Sequence, residues 1–369
     1  MILSSINLKN IRTHSNTLIR FAKNLNYIVG GNGVGKTTIL ESIYYLCTTK
    51  SCVTSSDIEA VSFGSESFEI RGSFSGTSND EVQVKYSVTD NKKTYLRNDK
   101  QVSRLADVIG KFPVVMLSPR DHSITQGYAS ERRKFVDSVI SQASRTYLNL
   151  LIEYNRIIKQ KSSLLNRLRE TKNDYDELKA WNEKLLQSGI VLIRHRLSFV
   201  KDFVSYMKES YIRILGDKET PNVSYRFLEG ASEKNLEDDF IQLLEAKKEE
   251  EIIRGKNLVG PHRDDFIFDI NGTNLKSFGS QGQHKTFQTI LKFAEYFYLS
   301  DKTGNNPLFL LDDVFGELDA ERASAISNYL GSVGQAFITL TDFGNFSFLK
   351  TSTRDKVIKL TRPGEVVYA

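Results

Sequence analysis

The pattern of apolar and polar positions divides the chain into three stretches. In residues 2–21, Leu3, Ile6, Leu8 and Ile11, then Leu18, Ile19 and Phe21, alternate loosely. That predicts two strands around the turn Arg12-Thr13-His14-Ser15-Asn16. Leu25-Asn26-Tyr27-Ile28-Val29 predicts a short buried strand, and beyond a glycine-rich run Ile39, Leu40, Ile43, Tyr44 and Cys47 recur at helical spacing. Residues 68–74 and 82–88 alternate strongly across Gly76-Thr77-Ser78-Asn79-Asp80, and residues 92–97 add a further short strand. An antiparallel meander is expected there. The continuous apolar run of residues 112–119, with proline at both boundaries, predicts a buried core strand.

The pattern then changes. No proline falls between Pro119 and Pro221, and Gly189 is the only glycine between Gly127 and Gly216. Long helices are expected. Tyr147, Leu151, Tyr154, Ile158, Leu165 and Leu168 follow an a/d pattern with a lapse at Lys161. After the polar break Glu170-Thr171-Lys172-Asn173-Asp174 it resumes with Leu178, Trp181, Leu185, Leu192 and Phe199. Two antiparallel helices of about forty residues would form an arm on the order of 60 Å long, too short for an extended intermolecular coiled coil. A last helix near residues 237–251 is expected to return the chain to the first lobe.

From Leu258 onward short elements return. Asp265-Phe266-Ile267-Phe268-Asp269-Ile270 leads into the hairpin turn Asn271-Gly272, and Leu308-Phe309-Leu310-Leu311 and Ala336-Phe337-Ile338-Thr339-Leu340 read as buried parallel strands.

Chemistry concentrates between the first strand–helix pair. Gly30-Gly31-Asn32-Gly33-Val34-Gly35-Lys36-Thr37-Thr38 fits G-x-x-x-x-G-K-[ST] in the required context, after a strand and opening a helix. Backbone N–H groups and the positive helix end would surround a phosphate. Lys36 would reach the β- and γ-phosphates, and the Thr37 hydroxyl would be a ligand of Mg²⁺. The strand at residues 308–311 ends in Asp312 and Asp313. The first carboxylate is placed to hold Mg²⁺ and the second to polarise a water aimed at the γ-phosphate. Ser280-Gln281-Gly282-Gln283 opens another helix and forms a second anion-binding N-terminus. The chain reads as a nucleotide-binding protein.

These motifs, taken together, resemble the RecF family of bacterial recombination-repair ATPases, whose heads are like those of SMC proteins. The resemblance runs almost end to end. It is carried by Leu8-Lys9-Asn10-Ile11-Arg12, the loop at residues 30–38, Leu117-Ser118-Pro119, Ser130-Glu131-Arg132-Arg133-Lys134-Phe135-Val136-Asp137, Gly260-Pro261-His262-Arg263-Asp264-Asp265, Gly279-Ser280-Gln281-Gly282-Gln283 and Leu311-Asp312-Asp313-Val314-Phe315-Gly316-Glu317-Leu318-Asp319. It implies an α/β fold: an ABC-type P-loop ATPase head, with a mixed sheet and an antiparallel meander, plus an α-helical arm lobe. The head would comprise residues 1–120 and 256–369, the arm residues 121–255.

The resemblance also implies a site. ATP would lie against Arg12, Gly30, Asn32, Gly33, Val34, Gly35, Lys36, Thr37 and Thr38, with Lys36 and Asp313 catalytic and Thr37 and Asp312 on Mg²⁺. Ser280, Gln281, Gly282 and Gln283 would act in trans on the ATP of a second subunit, and Arg132, Arg133 and Lys134 would face DNA. The implied protein dimerises on ATP, clamps double-stranded DNA and single-strand/double-strand junctions, hydrolyses slowly, and works with RecR and RecO to place RecA. The sequence departs from the family at Cys52, Val53 and Ser56, where basic residues are usual. The switch position after the last core strand falls at about Thr341-Asp342.

Composition narrows the alternatives. The 369 residues are 40% hydrophobic and 26% charged, as in ordinary globular proteins. No apolar run is long enough to span a bilayer and the N-terminus lacks the regions of a signal peptide, so no membrane association and a cytoplasmic location are expected. Cys47 and Cys52, the only cysteines, are expected to stay reduced. The net charge of +5 permits nucleic-acid contact. Residues 131–213 hold 17 lysines and arginines against 10 aspartates and glutamates, a cluster that either solvates helix faces or meets DNA. The ATPase subunit of a membrane transporter is the alternative reading, set against the 244 positions and basic helical arm between Lys36 and Ser280. A GTP switch lacks its Asn-Lys-x-Asp motif here, and a scaffold without hydrolysis would not need Lys36, Thr37, Asp312 and Asp313.

Overall fold

The computed structural model describes residues 1–76, 78–171, 175–317, 319–342 and 352–368. It separates into two compact units, the first from residues 1–121, 209–218 and 288–369 and the second from residues 122–208 and 219–287.

The first unit opens with β1 (Ile2–Ile11) and β2 (His14–Arg20), which pair antiparallel around the expected turn. β3 (Leu25–Val29) leads through the glycine loop into α1 (Lys36–Thr48). The meander follows as β4 (Ser67–Ser75), β5 (Asp80–Ser87), β6 (Lys92–Arg97) and the two-residue β7 (Lys100–Gln101), completing a six-stranded antiparallel sheet of order β2-β1-β4-β5-β6-β7. β8 (Val114–Leu117) is the buried core strand expected from its apolar run.

The second unit is mainly helical. After α2 (His122–Gln126) come α3 (Ala129–Ala143), α4 (Arg145–Thr171) and α5 (Tyr175–Leu215). The first arm helix, expected to run unbroken for about forty residues, is two helices. Ser144 between them is extended (φ −138°, ψ 111°), and its hydroxyl accepts from the Tyr147 N–H at 3.2 Å. A serine that caps a new helix ends the old one. Most of the polar break expected at residues 170–174 lies outside the described residues. The lapse at Lys161 is a buried ion pair: its ammonium is 2.7 Å from Glu251 and both side chains are almost fully enclosed. Glu251 lies on α6 (Leu236–Arg254), so the a/d stripe continues through a charge matched by a neighbouring helix.

β9 (Pro221–Arg226), β10 (Asp265–Ile270) and β11 (Thr273–Asn274) form a three-stranded sheet of order β11-β10-β9, with Asn271 and Gly272 both at positive φ in the expected hairpin turn. Residues 256–287, expected with the head, therefore cluster with the second unit. The physical ties are the β9–β10 ladder, the bidentate pair between Arg132 and Asp265, and the bond from Arg196 to the Pro261 carbonyl. Nor does α6 return the chain to the first unit. After α7 (Leu275–Phe278), the long α8 (Gln281–Thr303) makes that passage.

The first unit is completed by β12 (Leu308–Leu311), α9 (Ala320–Leu330), β13 (Ala336–Leu340), β14 (Lys356–Arg362) and β15 (Glu365–Tyr368). They build a mixed sheet of order β15-β14-β3-β13-β12-β8. β8, β12, β13, β3 and β14 run parallel, and only β15 is antiparallel. The main core of this unit joins residues of both sheets and α1, including Leu3, Ile28, Ile39, Leu46, Phe74, Leu310 and Ile358, all at most 3% exposed.

Candidate functional site

Parallel strands end on one edge of a sheet, and β3, β12 and β13 bring the chemistry-bearing residues to that edge. The loop after β3 is held in place by its surroundings. Gly30 donates its N–H to Leu340 O at 3.1 Å, and a Cβ on Gly30 would lie 2.6 Å from Leu360 O on the neighbouring β14. Only glycine fits beside that carbonyl. Gly35 caps α1 at φ +96°, a left-handed conformation that again selects glycine. No side chain caps α1 and its first turn holds no acid, so the helix start is suited to an anion.

Lys36 is 8% exposed, and its ammonium donates to the carbonyls of Gly30 at 2.7 Å and Gly31 at 2.8 Å. Burial lowers its pKa, while the charges of Asp313 and Asp312 oppose that shift. The Thr37 hydroxyl, on the exposed side of the helix start, is 3.0 Å from both carboxylate oxygens of Asp312. Asp312 Oδ1 also accepts from Thr339 Oγ1 at 2.8 Å, and Thr339 Oγ1 accepts from the Asp313 N–H at 2.8 Å. Thr339 thus fixes the carboxylate of one aspartate and the backbone of the next. Asp313 is exposed and has φ +50°, a conformation uncommon outside glycine, asparagine and aspartate. Thr339 lies outside the sequence motifs, and its signal is a fully enclosed hydroxyl in an otherwise apolar strand.

Arg12 has φ +52°, and its guanidinium makes a bidentate pair with Glu41 on α1, both bonds at 3.0 Å. Glu41 is 1% exposed and also accepts from the Ser51 hydroxyl. Arg12 is thereby tied to the helix that the loop opens. Gly31, Asn32 and Gly33 are exposed, Val34 is half-buried, and Thr38 is buried. Thr341 and Asp342 follow β13 as exposed residues.

The remaining site residues belong to the second unit. Ser280 precedes α8 and forms a reciprocal cap: its hydroxyl accepts from the Gln283 N–H at 3.2 Å, and Gln283 Oε1 accepts from the Ser280 N–H at 3.0 Å. Gln283 also donates to Glu219 at 3.1 Å. Ser280 and Gln281 are exposed, and Gly282 and Gln283 half-buried. The DNA-facing role expected of Arg132 does not suit its position. Its side chain is 6% exposed, paired with Asp265 at 2.7 and 2.8 Å and bonded to Gly127 O. Arg133 donates to Asp264 O at 2.6 Å, and the exposed Lys134 pairs with Glu131 at 2.8 Å.

Fold and site together define an ATPase head of the ABC type, a mixed sheet in which the P-loop follows β3 and the aspartate-tipped β12 lies one strand away, beyond β13. The profile of the RecF/RecN/SMC N-terminal domain matches residues 2–359. The DNA replication and repair protein RecF of Chloroherpeton thalassium is 37% identical over 367 residues, covering 97% of this chain and all of that one. RecF of Salinibacter ruber is 38% identical over 355 residues, 94% of this chain and 86% of the relative. A solved structure of the recombination mediator protein RecF with ATP superposes with a TM-score of 0.89 at 28% identity, covering all of this chain and 97% of that one. The SMC head of Pyrococcus furiosus, at 14% identity and a TM-score of 0.58, shares the fold. The chain belongs to the RecF family. No described helix is long and apolar enough to cross a membrane.

Proposed function

We propose that the chain is an ATP-dependent DNA clamp of recombinational repair, whose two subunits close over two ATP molecules and hydrolyse them slowly. The observation that carries this reading is the meeting of Thr37 and Asp312 at the mouth of the loop, beside the enclosed Lys36. A hydroxyl and a carboxylate at one point are hard oxygen donors of the kind that suit Mg²⁺. Mg²⁺ held there would neutralise charge on the β- and γ-phosphates. Lys36 would exchange the Gly30 and Gly31 carbonyls for phosphate oxygens, Arg12 would stand beside the nucleotide, and Asp313 would orient a water and accept its proton as the γ-phosphate bond breaks.

Ser280-Gln281-Gly282-Gln283 would close on the γ-phosphate held by a second copy, so each active site would need two chains. DNA, double-stranded or at single-strand/double-strand junctions, would be held by backbone phosphates, indifferently to sequence and weakly at high salt. The solved RecF structures are of a recombination mediator in the RecFOR pathway, which supports RecR and RecO as partners, and the resemblance implies RecA loading as the outcome. The resemblance adds Arg133 and Lys134 as DNA contacts. Arg132 would serve by holding the start of α3.

The test is sedimentation with ATP, with ADP and without nucleotide. Wild type is expected to dimerise with ATP. Ser280→Arg, which sets a bulky cation at the α8 cap, is expected to bind ATP but neither dimerise nor hydrolyse it. Wild-type dimerisation and turnover in that variant would refute the trans role.

A further inference from the structure

The β1–β2 turn reaches the phosphate loop at a point the motif does not include. His14 is fully enclosed; its Nε2 lies 3.1 Å from Gly35 O and its Nδ1 3.0 Å from Thr17 Oγ1. A carbonyl can only accept, so Nε2 must carry the proton. In the neutral ring Nδ1 then accepts from the Thr17 hydroxyl, and burial favours that neutral ring. A Cβ on Gly35 would lie 2.4 Å from His14 Nε2 and 2.7 Å from Thr13 Oγ1. The glycine before Lys36 is therefore required by the histidine's approach as well as by its own φ. Two residues earlier Arg12 grips Glu41, so one turn holds α1 at two points.

We infer that His14 is a positioning residue of the nucleotide site: its Nε2–H, bonded to Gly35 O, sets the Gly35–Lys36 peptide plane and so pre-aims the Lys36 N–H. Across a trans peptide the C=O and N–H point in opposite directions. The same carbonyl accepts from the Ile39 N–H at 3.3 Å, so His14, the closer partner at 3.1 Å, acts with the first turn of α1 to turn the following N–H to the opposite side of the chain. The bond exists before any nucleotide arrives, so its contribution is to affinity through preorganisation. It is the same for ADP and ATP, because Lys36 N–H serves phosphates that both share. This inference rests on the reading that residues 30–38 hold a nucleotide.

Three full-length proteins test it: wild type, His14→Phe, which keeps a ring without a donor, and His14→Gln, whose amide N–H can reach the carbonyl. His14→Phe is expected to bind ADP and ATP about tenfold more weakly with kcat at saturation unchanged, and His14→Gln to recover most of the loss. Equal affinity in His14→Phe, or a loss confined to kcat, would overturn the inference. So would a His14→Gln variant that folds as stably as wild type and binds no better than His14→Phe. Failure of the wild type to bind either nucleotide would sink the nucleotide reading and this inference together. Nitrogen-15 spectra of histidine-labelled wild type read the tautomer in the wild-type protein itself, the His14 signals being assigned by their loss in a folded His14→Gln variant. They are expected to show Nε2 protonated and Nδ1 bare, and the opposite tautomer would refute the inference.

Discussion

Two regions of this molecule bury charge, and they do it differently. In the second unit Arg196, 2% exposed, is bonded to Asp137 at 2.9 and 3.0 Å, to Pro261 O at 2.6 Å and to the hydroxyls of Tyr147 and Tyr225. Tyr225 and the Leu228 N–H in turn bond Asp264. Side chains from α3, α4, α5 and β9 and the loop before β10 meet there, each answered by another side chain or a local backbone group. In the first unit the enclosed Lys36 gives its hydrogen bonds to carbonyls of its own loop, five and six residues back, with the charges of Asp313 and Asp312 acting on it as well. Those bonds can be exchanged for a ligand without opening the core. A buried charge is therefore no sign of function by itself; what matters is whether its partners come from across the fold or from the loop that would receive the ligand.

The sharpest test separates the two regions by what each loses. Arg196→Met leaves the half-buried Asp137 without its cation and strips Tyr147, Tyr225 and Pro261 O of a donor, and a loss of about 3 kcal/mol in unfolding free energy is expected. Urea unfolding measures it. A loss below about 1 kcal/mol would mean that the network is not structural.

Lys36→Ala should do the reverse. Nucleotide affinity is expected to fall at least about a hundredfold, because the loop's only point charge for the β- and γ-phosphates is gone. The unfolding midpoint without nucleotide should stay close to wild type, since among the described residues Lys36 gives its hydrogen bonds to carbonyls of its own loop. Wild-type affinity in titration calorimetry would dissolve the contrast between the regions.

Asp313→Asn divides the first region further. The side chain is exposed and its backbone is held by Thr339, so the substitution leaves Asp312, Thr37 and the loop in place. Binding should persist while single-turnover hydrolysis slows by about a hundredfold. Unchanged hydrolysis would move the water-orienting role to another residue.

These contrasts also show how much was legible in the chain. The strand–loop–helix and the Asp312–Asp313 strand could be read because each is contiguous and its chemistry follows from adjacent residues. The meander was legible by alternation, the core strands by their continuous apolar runs and the Asn271-Gly272 turn by its residue types. What escaped needed a partner distant in sequence. Lys161 looked like a fault in a heptad until Glu251, ninety positions on, supplied its charge. Arg132 looked like a surface cation until Asp265 was placed beside it. β14 was missed because a short strand with Lys356, Lys359 and Arg362 exposes much of one side, yet it borders β3 and supplies the carbonyl that makes Gly30 necessary. The basic total of the arm likewise overstated what is available to DNA, since Arg132, Lys161 and Arg196 are all buried in ion pairs.

The smallest expected effect sharpens the second region. Asp264 is 4% exposed, and burial pushes its carboxyl up to about 6 against the hydrogen bonds of Tyr225 and Leu228 and the charges of Arg196 and Arg133. The folded value lies above the unfolded one of about 3.9, so between the two the native state holds the extra proton. Stability owed to this group is then greatest below about pH 4 and declines as pH rises toward about 6. Asp264→Asn removes the titration while its amide oxygen can still accept from Leu228. The variant's absolute stability is not the test, because an amide against Arg196 changes other terms. The test is the difference between wild type and variant as a function of pH, from which the other carboxylates cancel. That difference should move against the wild type by about 2 kcal/mol from pH 4 to pH 7. A difference that is flat, or that moves in the wild type's favour as pH rises, would mean that Arg196 keeps Asp264 ionised throughout. The network would then be a second ion pair like Lys161–Glu251 rather than a carboxyl that burial holds on to its proton.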